Sequence, residues 1–415
     1  MTCGRRPRGL PDFEESQKEQ TIRAYLHYFA DQEIRPRSLE ADRLGDVQPE
    51  FYDVLRRAGI STEMMPRDPA KRPREGDGQR EHSTLRTAVV ASEELSWGDA
   101  AFMLSLPGPG LGGPPVSFIG TPEQRERYFA VFKDETRAHF GAYALTEPEA
   151  GSDVAGIRTR CEEVPGGFRL SGTKTFITNG SRADWVVVFA TLDPQMGRSG
   201  HRTFVVRRGQ PGFRVGRLHH KMGLRASDTA ELVFEDCFVP EEDLLGGRAH
   251  YERRDSKEGF RVAMATFDST RPLVAAMAVG IARAAAERAR HLCGERYVLG
   301  RPLPRYRALR EALDDMDRRV RAARLLTWKS AYLADARQPQ TRAASMAKAY
   351  AGGEAVRICR EALELTADSG EPPDALLEKW YRDIRVFDLF EGTAQVQRLV
   401  IARRLFDEIG CKVGL

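Results

Sequence analysis

The chain has 415 residues, more than one compact domain of common size, so two or three packed units are expected. Its apolar content of 41% is ample for a real core, and its 30% charged content suits a solvated surface. Against 60 Asp and Glu stand 64 Lys and Arg, a net charge of +4 that argues against a nucleic-acid binder with one strongly basic face.

The opening residues Met1 to Arg8 are basic but lead into no apolar stretch, so no secretory signal is expected there. The longest apolar run, Leu273 to Ala282, is too short to span a bilayer. Cys3, Cys161, Cys237, Cys293, Cys359 and Cys411 have no paired spacing, which points to a reducing compartment and predicts neither zinc nor a redox dithiol. A cytoplasmic enzyme without a metal site or a membrane anchor is the resulting expectation.

Glu14 to Gln32 carries Ile22, Tyr25, Leu26 and Phe29 at helical spacing, and Glu50 to Ala58 repeats the pattern. Further helices are predicted over Thr87 to Ser96 and Pro122 to Phe132, the latter opened by Thr121 as N-cap and Pro122 in the first turn. Arg67 to Glu81 reads as a charged loop. Ser105 to Pro115 is broken repeatedly by Gly and Pro and is not expected to be a regular helix. Beyond Phe140 the pattern alternates: Phe168 to Ile177, Trp185 to Ala190, Thr203 to Val206 and Glu231 to Phe234 read as strands. Turn signals at Pro165, Asn179-Gly180 and Pro211-Gly212 separate them, as in a small antiparallel barrel or sandwich. From Glu258 the chain returns to helix. Val262 to Leu292, Tyr306 to Tyr332, Arg342 to Thr366 and Thr393 to Ile409 would make a four-helix bundle. The fold class expected is therefore α+β, with a helical domain over 1–138, a small antiparallel β-barrel over 139–245 and a four-helix bundle over 246–415.

Five strings stand out. They are Tyr143 to Asp153, Lys174 to Gly180, Lys221 to Thr229, Asp268 to Pro272, and Phe390-Glu391-Gly392-Thr393-Ala394-Gln395 preceded by Arg382-Asp383. Glu391 is one carboxylate among apolar and small polar neighbours, which by itself also fits a helix-capping residue. Together and in this order, from about Gln17 to Ile409, the strings resemble the FAD-dependent acyl-CoA dehydrogenase family.

That resemblance implies α,β-dehydrogenation of an acyl-CoA thioester to a trans-2-enoyl-CoA. Glu391 would take the α-proton, and the β-hydrogen would leave as hydride to flavin N5. An α-proton of a thioester is weakly acidic, so the chemistry needs a base whose basicity is raised by desolvation. Gly392 leaves room for the thioester, and the Glu391 N–H would support its carbonyl oxygen as the enolate forms. Tyr143, Leu145, Thr146, Gly151 and Ser152 match the family's contacts to the isoalloxazine and pyrophosphate, Phe176 its ring-stacking position and Thr178 its hydrogen bond near N5. Thr393 and Gln395 are assigned to the same cofactor. Ser152, Asp268, Arg271, Phe390 and Gly392 match the substrate side. His219-His220 reads as a surface pair.

In the family, a neighbouring subunit lends contacts to the flavin. Here Arg296 and Gly300 match that face, but Leu299 and Arg307 depart from it, and Glu364 to Gly370 keeps only the last glycine of the loop. Arg307 would offset the charge of Glu364 and Asp368. The expected assembly is a homotetramer or dimer, or a heterotetramer with a related subunit, and the expected electron acceptor is an electron-transfer flavoprotein. Two alternatives stay open: an acyl-carrier-protein thioester as substrate, or a largely structural role in a heteromer. Pro107 to Pro115 is expected beside the acyl pocket.

Overall fold

In the computed structural model, the described residues are 13–60, 84–252, 257–296, 304–367 and 372–410. The charged Arg67 to Glu81 loop, Leu299, Gly300 and Asp368 to Gly370 lie outside them. The helices are α1 (Gln17–Phe29), α2 (Ser38–Leu44), α3 (Glu50–Arg57), α4 (Thr84–Leu104), α5 (Gly113–Ile119), α6 (Pro122–Phe129), α7 (Arg248–Tyr251), α8 (Glu258–Arg296), α9 (Pro304–Asp335), α10 (Thr341–Thr366), α11 (Ala375–Ile384) and α12 (Ala394–Glu408). The strands are β1 (Gly141–Ala144), β2 (Arg160–Val164), β3 (Gly167–Thr178), β4 (Trp185–Thr191), β5 (His201–Arg207), β6 (Phe213–Leu218) and β7 (Thr229–Pro240).

Two compact units form, each from several stretches of chain. One comprises Met1–Gln32, Asp77–Gly98 and Arg271–Leu415, the other Glu33–Gly76 and Asp99–Thr270. Among the described residues, the chain passes between them at irregular helical positions: a π-turn over Ala30–Ile34, extended backbone at Asp99 inside α4, and Pro272 inside α8. A proline there removes one backbone donor from the helix ladder.

The second unit is built on one seven-stranded sheet in the order β1-β4-β2-β3-β7-β6, with β5 also pairing β4. Most pairings are antiparallel, whereas β1 and β2 run parallel to β4. Every residue of β4 is buried, which its unbroken apolar run requires. Alternate residues face opposite ways: Val186, Val188 and Ala190 join Phe168, Leu170 and Phe204, while Val187 and Phe189 join Tyr143, Leu145 and Val205. Strands β1, β2 and β6 carry weak sequence signals, because β1 has four residues and the other two are largely exposed.

The Gly/Pro stretch corrects one expectation. Gly113-Pro114-Pro115 opens α5, with its prolines in the first turn, where no backbone donor is needed. Just before it the chain lies against β1: Gly108 N–H donates to the His139 carbonyl at 2.7 Å and Gly141 N–H to Gly108 at 2.8 Å. A Cβ on Gly112 would sit 2.6 Å from the Ala142 carbonyl oxygen and 2.7 Å from the Trp185 ring. Close backbone approach explains the glycine there without reference to a ligand.

In the first unit α10 packs against α9, α11 and α12. Its buried residues include Ala344, Ser345, Ala347, Lys348, Ala351 and Ala355, all small side chains but the lysine. Helix α11, absent from the sequence reading, carries a buried pair, Lys379 Nζ to Asp383 Oδ2 at 2.5 Å.

Candidate active site

Of the residues assigned to a flavin, Leu145, Thr146, Gly151, Ser152, Phe176 and Thr178 lie on the β1–β2 connection and the end of β3. Glu147 organises the connection. Its Oε1 accepts from Lys174 Nζ at 2.7 Å and from Thr159 N–H at 2.9 Å, and its Oε2 accepts from Arg158 N–H at 2.6 Å. Lys174 also donates to the Leu145 carbonyl at 3.0 Å, and Thr175 N–H to the Thr146 carbonyl at 2.9 Å. Burial pulls Lys174 down to about 8 against the attraction of Glu147, so it remains an ammonium at neutral pH. Burial would raise Glu147, but the Lys174 charge overcomes it and holds the carboxyl below its usual range.

A change of register against β7 between Lys174 and Ile177 places Phe176 at φ +57°. Such a bulge re-aims one side chain. Thr175 and Ile177 are buried, whereas Phe176 is 63% exposed and stacks on His219 at 4.6 Å and 28°. His219 also approaches Thr175 Oγ1 at 3.1 Å and is half-buried at this edge, and His220 next to it is exposed. Thr178 pairs with Thr229 at the strand end. The following turn is fastened through Asp228, which accepts from Ser181 N–H at 3.0 Å and Ser181 Oγ at 2.9 Å. That gives the Lys221 to Thr229 string a structural task.

A flat ring and a diphosphate fit these residues. Phe176 offers an exposed aromatic face, Gly151 has open space where a Cβ would stand, Thr146 and Thr178 are half-buried, and Ser152 is exposed. Tyr143 and Leu145 are buried in the sheet, Tyr143 packing on Phe189 at 5.1 Å.

Glu391 belongs to the other unit. It lies between a 3-10 turn over Arg385–Asp388 and α12, half-buried, with its backbone at φ +53°. A left-handed non-glycine costs roughly 1–3 kcal/mol and persists only where its surroundings hold it. Three groups hold it here. Lys348 Nζ donates to the Gly392 carbonyl at 2.7 Å, Gln397 Nε2 lies 3.2 Å from the Glu391 and Gly392 carbonyls, and Phe390 N–H donates to Val386 at 3.0 Å. Gly392 has φ +92°, and a Cβ on it would meet Gln397 Nε2 at 2.4 Å. Phe390 packs edge-on against Phe387 at 4.9 Å.

Thr393, assigned to the cofactor, is the N-cap of α12, its side chain accepting from Val396 N–H at 3.3 Å, while Gln395 is exposed. Arg271 is buried and Asp268 half-buried on α8. Arg296 ends α8, and its side chain lies outside the described residues. Arg307 is 86% exposed and pairs with Glu311 at 2.9 Å. Sequence reasoning left Glu147, Lys174, Lys348 and Gln397 without roles. The available signal was an ionisable residue on a stripe otherwise made of small side chains, as Lys348 is on α10.

Three family models match the chain: the acyl-CoA dehydrogenase N-terminal domain over residues 16–132, the middle domain over 142–237 and the C-terminal domain over 257–406. A short-chain-specific acyl-CoA dehydrogenase of Clostridium acetobutylicum is 33% identical over 397 residues, 95% of this chain and 100% of that protein. The butyryl-CoA dehydrogenase structure from Megasphaera elsdenii matches with a TM-score of 0.81 at 32% identity, covering 95% of this chain and 100% of that one. A glutaryl-CoA dehydrogenase of Mycobacterium smegmatis, solved in complex with FADH2, matches with a TM-score of 0.81 at 25% identity over 95% of each chain. This chain therefore belongs to the acyl-CoA dehydrogenase family of FAD-dependent oxidoreductases.

Proposed function

We propose that this protein removes the α-proton and β-hydrogen of an acyl-CoA thioester to give the trans-2-enoyl-CoA, with Glu391 as the base. The observation that carries the reading is the Glu391-Gly392 turn, a carboxylate on left-handed backbone gripped by Lys348 and Gln397. Holding a strained acid in one place is what proton abstraction demands and what a plain helix cap does not. FAD, when bound, supplies the two-electron acceptor for the β-hydrogen. Gly151, Ser152, Thr146, Thr178 and Phe176 would hold it, and Arg271 would meet the polar arm of the thioester. An electron-transfer flavoprotein is the proposed acceptor of the electrons.

Anaerobic mixing of the FAD-loaded protein with a panel of straight, branched and cyclic acyl-CoAs tests this. Bleaching of the flavin by at least one thioester is expected. Glu391→Gln should slow that bleaching by about 10²–10⁴-fold while FAD content stays unchanged. No bleaching by any thioester, or a Glu391→Gln protein as fast as the parent, would remove the reading.

A further inference from the structure

Lys348 is an ammonium buried where α10 meets the turn that carries Glu391. It is 1% exposed, and its Nζ donates to the Gly392 carbonyl at 2.7 Å. Burying a cation is costly unless something recovers the loss, and a neutral residue of similar shape would suit a stripe of alanines at least as well. Three charged groups act on it: Asp388 from the 3-10 turn, Glu391 from the loop, and Arg271 from α8. Burial lowers its pKa to about 8, with Asp388 and Glu391 opposing and Arg271 assisting, so it keeps its proton at neutral pH.

We propose that Lys348 is a positioning residue for the base, its ammonium fixing the left-handed Glu391-Gly392 turn and keeping the Glu391 carboxyl ionised near neutral pH. The inference rests on Glu391 being the base, and it goes beyond that role by naming what sets the base's proton affinity. A cation near a carboxylate favours the charged form. Without the ammonium that help is gone, and the enzyme would lose its base at a higher pH than the parent does. Lys348 neither gives nor takes a proton in the reaction.

The test is the pH profile of flavin reduction by the best thioester. In Lys348→Met and Lys348→Gln the acidic limb should move upward by about one pH unit or more. Lys348→Arg, which keeps the charge, should leave the limb near its parental position. Asp388→Asn, at a half-buried position, should move it downward and supplies the same information if the Lys348 variants fail to fold. A limb unmoved in Lys348→Met or in Asp388→Asn, with FAD content and circular dichroism unchanged, would overturn the proposal, as would an equal shift in Lys348→Arg and Lys348→Met. If no thioester bleaches the parent protein, the proposed function fails. The Lys348 claim is then read from the pH midpoint of carbodiimide labelling at Glu391, followed by mass spectrometry in the same variants, where the same shifts are expected.

Discussion

Lys174 and Glu147 show how one buried ion pair can hold a connection between strands in shape. Lys174 is fully buried, and its partner's two oxygens also take the Arg158 and Thr159 amides, so the pair determines where the β1–β2 connection runs. Removing one member strands the other's charge, a loss of about 3–5 kcal/mol for buried pairs. Lys174→Met should therefore unfold at lower denaturant concentration than the parent and retain less FAD after gel filtration, which unfolding curves and the flavin absorbance per chain will report. Glu147 lies inside a string that was already conspicuous, yet its role was illegible. Nothing in the order of residues says that Lys174, 27 positions later, returns to the same place.

Between helices of the first unit lies a larger charged cluster. Glu93 and Glu94 on α4 are buried, and Arg283 from α8 reaches both, at 2.8 Å and 2.5 Å. Arg324 from α9 holds Glu93 at 2.8 Å, and Arg23 and His27 from α1 hold Glu94, the histidine at 3.0 Å. Burial would raise Glu94, but hydrogen bonds from Arg283 and His27 and the charges of Arg283 and Arg23 hold it at about 2 instead of 4.5. A folded pKa below the unfolded one contributes stability that is present above about pH 4.5 and lost as pH falls toward 2. The shift is worth on the order of 3 kcal/mol. Acid unfolding followed by circular dichroism should therefore begin below pH 4.5, and Glu94→Gln should flatten that dependence. In the second unit the packing of the loop before α5 against β1 makes a separate expectation. Gly112→Ala pushes a methyl group onto the Ala142 carbonyl and the Trp185 ring and should cost about 1–3 kcal/mol in thermal or denaturant unfolding.

At the scale of the whole molecule, no helix among the described residues is long and apolar enough to cross a membrane. The assembly is a matter for stoichiometry. Arg307, which departs from the family's lending face, is exposed and engaged by Glu311. If a related subunit supplies that face, the chain purified alone should carry well under one FAD per subunit and gain flavin when its partner is added. A full flavin per subunit without a partner selects the homomer.

The helices and the longest strands were legible because their apolar residues repeat at the spacing of the element itself, as in Ile22 to Phe29 of α1 or the unbroken Trp185–Ala190 run of β4. Local chemistry was readable too: Thr121 does cap α6, and the Asn179-Gly180 turn does end β3. Only the tertiary structure decided what depends on residues far apart in sequence. It brings Lys348 to the Gly392 carbonyl 44 positions away, lifts Phe176 out of its strand by a bulge against β7, and sets β1 and β2 parallel to β4. Spacing encodes periodicity, whereas long-range pairing and the burial of charge depend on how distant segments pack, and a short motif does not carry that information.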